Sequence, residues 1–241
     1  MESHKPIELN FQDIRNMRQQ NNNKIVYHSI KNNNQDLFED NINKKELERT
    51  LEDLKYTKND LFNKCQIDDK FCIVISRLIS KNASRQGSKD EYNQLITCNI
   101  TAQKYNIKIE NLNATDFRPT KDGCIVSQNE MKQKKISKDC CLKSFDGKIT
   151  GKLQGFISAK VAYGSGGHQD NVFEEMDTVA DWWKKYKSES QEKLILLIET
   201  DQVLKLKRLK EKYNLVCNIM VCNHIEFQQY IINNFYTESR K

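Results

Sequence analysis

The sequence predicts an α/β protein in which helices flank a mixed central β-sheet, after a helical and partly loose N-terminal region. Three observations support this fold class. Apolar residues recur at helical spacing in several segments. Residues 194–198 form a continuous apolar run, which is typical of a strand that is covered on both faces. Helical and strand patterns alternate through the second half of the chain, as they do in α/β domains.

The 241 residues, of which 37% are hydrophobic, are enough for one well-cored domain with an extension, or for two small ones. Residues 1–83 are predicted to form an N-terminal arm and helical region. Their polar tracts at 19–23 and 32–35 bury little and predict loop or loosely ordered chain. Apolar residues over 36–63 indicate one or two amphipathic helices, and residues 71–79 form an apolar helix or strand.

Residues 84–241 are predicted to form the core domain that carries the sheet. Ser88 and Glu91 stand at the spacing of a capping box, which predicts a helix over 88–104. The elements expected after it are strands at 107–112 and 123–127, a charged connector at 128–138, strands at 141–145 and 153–162, a helix at 169–187, a strand at 194–198, a helix at 202–213, a strand at 216–222 and a helix at 226–235.

Charge and cysteine usage set broad limits. The 39 Lys and Arg exceed the 33 Asp and Glu by a margin of +6, which is compatible with a polyanionic partner but common among soluble proteins. The eight cysteines include no Cys-x-x-Cys pair, so a zinc site is not indicated and reduced thiols are expected. No signal sequence or membrane-spanning run is apparent, so we expect a soluble, cytoplasmic protein without a membrane partner.

The predicted strand at 153–162 carries the residues that point to chemistry. Alternation places Ser158 and Lys160 together on one face, where an active site could lie. Asp146 ends the preceding predicted strand and lies close to them if the two strands form a hairpin. The Asp146 carboxylate could then hold Mg²⁺, while Lys160 orients water and offsets charge on a phosphodiester. The alternative is structural, because Asp-Gly is a common hairpin turn and Ser-x-Lys suits a solvated strand face.

Phe145-Asp146-Gly147 and Ser158-Ala159-Lys160 together resemble the motif of the PD-(D/E)xK nuclease superfamily, and of its type II restriction endonucleases in particular. In that motif an aspartate precedes a hairpin, and an acidic-x-Lys triplet ends the next strand. The run Gly-Gly-His-Gln-Asp-Asn-Val-Phe at 166–173 is similar to a loop-to-helix connection in several such enzymes. The resemblance covers residues 84–201. It implies a restriction-endonuclease-like core, Mg²⁺ as cofactor, and sequence-specific hydrolysis of double-stranded DNA.

The sequence departs from this motif at Ser158, which replaces the usual glutamate and is a poor metal ligand. The resemblance implies that a glutamate of the following helix takes over, as in some restriction enzymes with serine there. Spacing from Lys160 favours Glu174, whereas the helical wheel places Glu175 nearer the sheet, and both stay candidates for the metal and for catalysis. Glu91, on the helix before the hairpin, is another catalytic candidate, with capping of its own helix as the alternative.

Polar side chains at two predicted helix starts are candidates for contact with DNA, because helix N-termini favour phosphate and these side-chain types suit base edges. They are Arg85, Gln86, His168, Gln169 and Asn171. A homodimer is expected, because short palindromic targets suit two-fold symmetric proteins. The family also implies a companion DNA methyltransferase. Two other functions stay open: a repair or recombination nuclease of the same superfamily, and a DNA-binding module without catalytic activity.

Overall fold

The computed structural model describes residues 5–83, 87–113, 116–163 and 167–236, and for residues 167–170 it describes the backbone alone. The chain divides into two compact units. One consists of Asn10–Gln86, and the other combines Met1–Leu9 with Gly87–Lys241. None of the described helices has the length and the apolar run that crossing a membrane requires.

The unit Asn10–Gln86 is helical throughout its described elements. These are α1 (Phe11–Lys31), α2 (Gln35–Asn41), α3 (Lys44–Leu54), α4 (Lys58–Ile67) and α5 (Asp69–Ile79). One apolar cluster, which includes the buried side chains of Phe38, Leu61 and Ile75, holds them together. The segment 71–79, which the sequence left as helix or strand, is helical.

The polar tract at 19–23 lies inside α1, so the prediction of a loop there is wrong. Asn22 is buried, and its amide donates a hydrogen bond to the carbonyl oxygen of Lys81 at 2.8 Å. Val26 and Ile30, one and two turns further along α1, pack into the apolar cluster. Tertiary contacts therefore hold these amides in a helix, although their intrinsic helix propensity is weak.

Segment 36–63 contributes to three helices, where the sequence predicted one or two. Asn43 precedes α3, and Lys55 ends it in the left-handed conformation, with a φ of 56°. Thr57 and Asp60 then form a capping box that begins α4. The breaks arise from these caps, because the apolar spacing alone continues across them.

The second unit carries a five-stranded sheet and a small two-stranded sheet. Its described elements are, in chain order, α6 (Gly87–Gln103), β1 (Ile107–Asn111), β2 (Phe117–Pro119), β3 (Ile125–Ser127), α7 (Gln128–Gln133), a short 3-10 helix (Lys138–Cys140), β4 (Gly147–Gly151), β5 (Gly155–Ala162), α8 (Gly167–Tyr186), β6 (Lys193–Thr200), α9 (Val203–Tyr213), β7 (Ile219–Cys222) and α10 (His224–Phe235).

The large sheet has the strand order β1-β4-β5-β6-β7. The pairs β1–β4 and β4–β5 are antiparallel, and the pairs β5–β6 and β6–β7 are parallel, so the sheet is mixed. Side chains of α6 and α10 share one apolar cluster with one face of the sheet, while α8 and α9 share another cluster with the opposite face. The predicted α/β class with a mixed sheet flanked by helices is confirmed.

The segment 141–145 is not a strand of the large sheet, contrary to the prediction. It runs beside β2 instead, with hydrogen bonds from the Leu142 amide to the Pro119 carbonyl and from the Phe145 amide to the Phe117 carbonyl. The partner of β5 in the hairpin is β4, which begins directly after Asp146. Asp146 therefore precedes a strand rather than ending one. The connector at 128–138 also differs from the prediction, since it contains α7.

Candidate active site: a buried lysine among three carboxylates

Lys160 lies near the carboxyl end of β5, with 9% of its side chain exposed. Ser158 and Lys160 share one face of β5, as the alternation predicted, and both are buried, so the alternative of a solvated strand face is wrong. They share that face of β5 with Phe156, which packs in the same apolar cluster as α8. The face is closed because α8 covers it. A lysine at this depth needs charged partners, since an unpaired buried ammonium is costly.

Three carboxylates surround the Lys160 ammonium. Its Nζ lies 3.2 Å from Glu91 Oε1, 3.7 Å from Asp146 Oδ2 and 3.7 Å from Glu175 Oε1. Nζ also donates a hydrogen bond to the carbonyl oxygen of Ala159 at 2.8 Å. The structure therefore gathers one cation and four oxygen atoms from α6, the start of β4, β5 and α8. We call Lys160, Glu91, Asp146 and Glu175 the lysine cluster.

Asp146 is fixed by the hairpin on both sides. Its amide donates to the Ile157 carbonyl at 2.8 Å, and its Oδ2 accepts the Ala159 amide at 2.8 Å. In the second contact the Ala159 amide of β5 donates to the Asp146 side chain instead of to a backbone carbonyl. It therefore holds the carboxylate against the strand that carries Lys160.

Glu175, rather than Glu174, contacts the cluster. Glu174 is exposed, and only its backbone carbonyl, which accepts the Thr178 hydroxyl, has a described contact. Glu175 is half-buried, with Oε1 near Lys160 and Oε2 accepting a hydrogen bond from Lys143 Nζ at 2.7 Å. The helical wheel thus selected Glu175, which faces the sheet, whereas the spacing from Lys160 selected its neighbour Glu174, which has no described contact with the cluster.

Glu91 belongs to the lysine cluster. The helix α6 begins at Gly87, so Ser88 is already helical and cannot act as its N-cap. Glu91 instead accepts a hydrogen bond from Lys160 across 69 positions of sequence. The capping alternative is therefore wrong for this glutamate.

The cluster carries an excess of negative charge. Among the described residues, Glu91, Asp146 and Glu175 face the ammonium groups of Lys160 and Lys143, so three carboxylates face two cations. Burial raises the pKa values of Asp146 and Glu91, although Lys160 opposes the shift in both. Burial alone would lower the pKa of Lys160, but Asp146, Glu91 and Glu175 outweigh it and raise that pKa. An added cation would therefore be favoured here.

The donor chemistry suits a hard divalent ion. The described residues contain no group of three His, Cys, Asp or Glu side chains that could hold a metal ion. The atoms around Lys160 Nζ are nevertheless all oxygens, and Mg²⁺ prefers oxygen, commonly from one or two carboxylates with water completing its shell. Glu91 holds a hydrogen bond with Lys160 Nζ, whereas Asp146 and Glu175, each 3.7 Å from that atom, are the two candidates for this role that the resemblance implies.

The predicted DNA contacts are only partly described. Arg85 and Gln86 lie outside the described residues, and so do the side chains of His168 and Gln169, whose backbone belongs to the first turn of α8. Asn171 is exposed on the same helix. The backbone of α8 thus links Asn171 to Glu175 of the lysine cluster, one turn further on.

A second buried charged group lies on the neighbouring strand. Glu199 of β6 contacts His224 at the start of α10, with 2.5 Å between Oε1 and Nδ1, and it also accepts the His224 amide at 2.7 Å. His224 Nε2 accepts a hydrogen bond from the Leu9 amide at 3.0 Å. The sequence analysis did not single out this pair or Lys143. No local pattern marks them, because their partners are distant in the sequence.

Comparison with family models, with curated proteins and with solved structures finds no match for this chain. The functional argument therefore depends on the geometry and chemistry of the site.

Proposed function

We propose that this protein is a Mg²⁺-dependent endonuclease that hydrolyses phosphodiester bonds of double-stranded DNA. The observation that carries the proposal is the lysine cluster: a buried ammonium within 3.7 Å of three carboxylates that together carry more charge than it neutralises. Hydrolysis of a phosphodiester requires metal-binding carboxylates and a cation that offsets the charge developing on phosphate.

Each residue of the cluster has a distinct role in this proposal. Asp146 and Glu175 would hold Mg²⁺, which supplies charge neutralisation and a more acidic bound water. Lys160 orients the attacking water and offsets charge on the phosphate. Glu91 and the Ala159 carbonyl fix the Lys160 ammonium by hydrogen bonds. Ser158 is buried in the same strand and has no carboxylate, so Glu175 of α8 would supply the second one.

A type II restriction enzyme is the form of nuclease that we propose. Asp146 directly precedes the β4–β5 hairpin, Lys160 lies near the end of the second strand, and Glu91 is on the helix before the hairpin, in the pattern that the resemblance implies. Two-fold symmetric targets favour a homodimer. Arg85, Gln86, His168, Gln169 and Asn171 are the proposed DNA contacts. A cognate DNA methyltransferase and a cytoplasmic location complete the proposal.

The second candidate function is a DNA-binding module without catalysis. The observation that favours it is the serine at position 158, together with the lack of a three-ligand metal group among the described residues. Such a module would bind DNA without a metal, and replacement of Lys160 would weaken binding without changing any product.

The two glutamates of α8 provide the test. Purified wild-type protein, Glu175→Gln and Glu174→Gln are incubated with unmethylated DNA of known sequence, in Mg²⁺ or in EDTA. Discrete fragments are expected only with Mg²⁺, from the wild type and Glu174→Gln. Glu175→Gln should cleave at least about 100-fold more slowly, as expected for loss of a group that stabilises the transition state.

The same assay separates the alternatives. Cleavage that depends on DNA structure rather than sequence would indicate a repair or recombination nuclease. Intact DNA under every condition, with folded and DNA-bound protein, would contradict the nuclease and leave the binding module. Equal rates for the two glutamine variants would remove Glu175 from the site.

A further inference from the structure

A cavity of about 230 Å³ lies in the segment between β1 and β4. It is lined by Arg118, Gln128, Met131, Lys132, Ile136 and Lys138. None of these residues belongs to the lysine cluster or to the proposed DNA contacts. Its volume is several times the roughly 30 Å³ that a liquid water occupies, so it can admit a small organic group.

The cavity is basic. Three of its six described lining residues are cations, and none of the six is acidic. Neither Lys132 nor Lys138 has an ion pair or a side-chain hydrogen bond with any described residue. Arg118 donates a hydrogen bond to the Leu142 carbonyl at 3.4 Å, which ties its guanidinium to the segment that leads to Asp146. Two lysines without a described acidic partner, which line one cavity together with Arg118, favour an anionic ligand.

The acids next to the lining residues in the sequence have other described partners. Glu130 of α7 is held in a capping box, where it accepts hydrogen bonds from the amide and the hydroxyl of Ser127. Asp139, next to Lys138, is exposed and contacts Ser137. The structure therefore does not neutralise the lining lysines through their own helices.

The walls of the cavity are held in place by backbone hydrogen bonds. The Gln128 amide donates to the Asp116 carbonyl, and the Ile136 amide donates to the Met131 carbonyl, which reverses the chain after α7. The Lys121 amide donates to the Cys140 carbonyl and ties the 3-10 helix to the end of β2. The site is thus built before any ligand arrives, which reduces the entropy lost on binding.

The remaining lining residues suit the organic group to which an anion such as a phosphoryl group is attached. Met131 is buried and Ile136 is half-buried, so together they offer an apolar surface beside the cations. Gln128 adds one amide that can donate and accept hydrogen bonds. A phosphoryl group needs several cationic donors, and the sugar or base attached to it has apolar faces and polar edges.

We propose that this cavity binds a phosphoryl group, either of a free nucleotide or of the DNA backbone. Lys132 and Lys138 contact the phosphoryl oxygens together with Arg118, and Met131 with Ile136 contacts the attached sugar or base. The free-nucleotide form goes beyond the proposed nuclease function, and the DNA-backbone form rests on it. In the second form the cavity would hold a phosphate outside the lysine cluster and so fix the register of the duplex.

The test compares two double variants of exposed lysines in the same region. Lys132→Ala with Lys138→Ala removes cavity cations, and Lys121→Ala with Lys134→Ala removes two cations that do not line it. All four lysines are exposed, so both proteins are expected to fold. The probes are deoxyadenosine monophosphate, followed by calorimetry, and a short fluorescent duplex, followed by anisotropy. Both are measured in EDTA, so that cleavage plays no part.

For a free nucleotide, the cavity variant should bind deoxyadenosine monophosphate about tenfold more weakly or worse, while the control variant binds as the wild type does. For a backbone phosphate, only duplex binding should weaken, and the slope of log affinity against log salt should decrease by about 2 for two lost contacts. Equal losses in the two variants, or no loss with either probe, would contradict the proposal. Because no step depends on cleavage, its failure is distinguishable from failure of the nuclease proposal.

Discussion

Two buried charged groups on neighbouring strands of the sheet differ in the number and the distance of the partners that hold them. Glu199 of β6 has one histidine partner at 2.5 Å and also accepts the backbone amide of that histidine. Lys160 of β5 has three carboxylate partners at 3.2 to 3.7 Å. The Glu199 carboxylate is held by two short hydrogen bonds to one residue, whereas among the described residues Lys160 lies at longer distances from three carboxylates, more than its single charge can balance.

The comparison teaches that burial of charge by itself does not identify a functional site. The Glu199–His224 contact joins β6 to the start of α10, and the Leu9 amide occupies the second ring nitrogen of His224. A structural role, the attachment of α10 and of the segment at Leu9 to β6, is enough to explain these contacts. Burial raises the pKa values of two acids of the lysine cluster, and the cluster gathers hard oxygen donors, which folding alone does not require.

The largest expected effect is on the rate of DNA cleavage. Lys160→Met removes the cation that offsets charge on the phosphate, so the single-turnover cleavage rate should decrease by roughly 100- to 1,000-fold. Lys143→Met is the matched control, because Lys143 is exposed and its described ion pair is with Oε2 of Glu175 rather than with Oε1, which lies near Lys160. A rate for Lys160→Met within a few fold of the control would place the chemistry elsewhere.

The next effect is on stability and concerns the other charged group. Glu199→Ala leaves His224 and the start of α10 without their acceptor, so the free energy of unfolding should decrease by about 3 kcal/mol. Urea denaturation measures it. Glu211→Ala, which removes an exposed pair with Lys207, should change it by less than about 0.5 kcal/mol. If Glu199→Ala folded normally but no longer cleaved DNA, Glu199 would have a functional role, and its assignment as a structural charge would be wrong.

Magnesium should act on the lysine cluster alone. A concentration about 100 times its dissociation constant should raise the free energy of unfolding by about 2.7 kcal/mol, because the ion binds only the folded protein. Thermal melts with and without Mg²⁺ would show this for the wild type and for Glu199→Ala. Glu175→Gln should lose most of the effect. If Mg²⁺ stabilised Glu175→Gln as much as the wild type, Glu175 would not be a ligand of the metal.

The smallest effect is a change of stability with pH. Burial raises the pKa of Asp146, so the folded protein binds its proton more tightly than the unfolded chain does. The wild type should therefore lose stability relative to Asp146→Asn as pH rises from the ordinary range of aspartate through the raised pKa. Thermal melts in EDTA at pH 4 and pH 7 measure the difference. A wild type that gains stability relative to Asp146→Asn between pH 4 and pH 7 would contradict the shift.

Local patterns in the sequence predicted much of the sheet unit. The helices α6, α8, α9 and α10 and the strands β1, β5, β6 and β7 fall within or close to the segments that periodicity indicated. The segment at 141–145 was predicted wrongly, because its alternation suits a strand but its hydrogen bonds go to β2. The tract at 19–23 was also wrong, since composition does not report the packing of Val26 and Ile30 in the same helix.

The sequence by itself predicted the α/β class, which depends on short-range periodicity, and gave Asp146 and Lys160 as a candidate pair through their match to a spaced motif. Tertiary structure alone decided which acids reach Lys160. Glu91 comes from 69 positions away, and the choice of Glu175 over Glu174 depends on how α8 is rotated against the sheet. Successive side chains on a helix point in directions about 100° apart. Only the packing of the apolar face of α8 against the sheet decides which of the two glutamates faces Lys160.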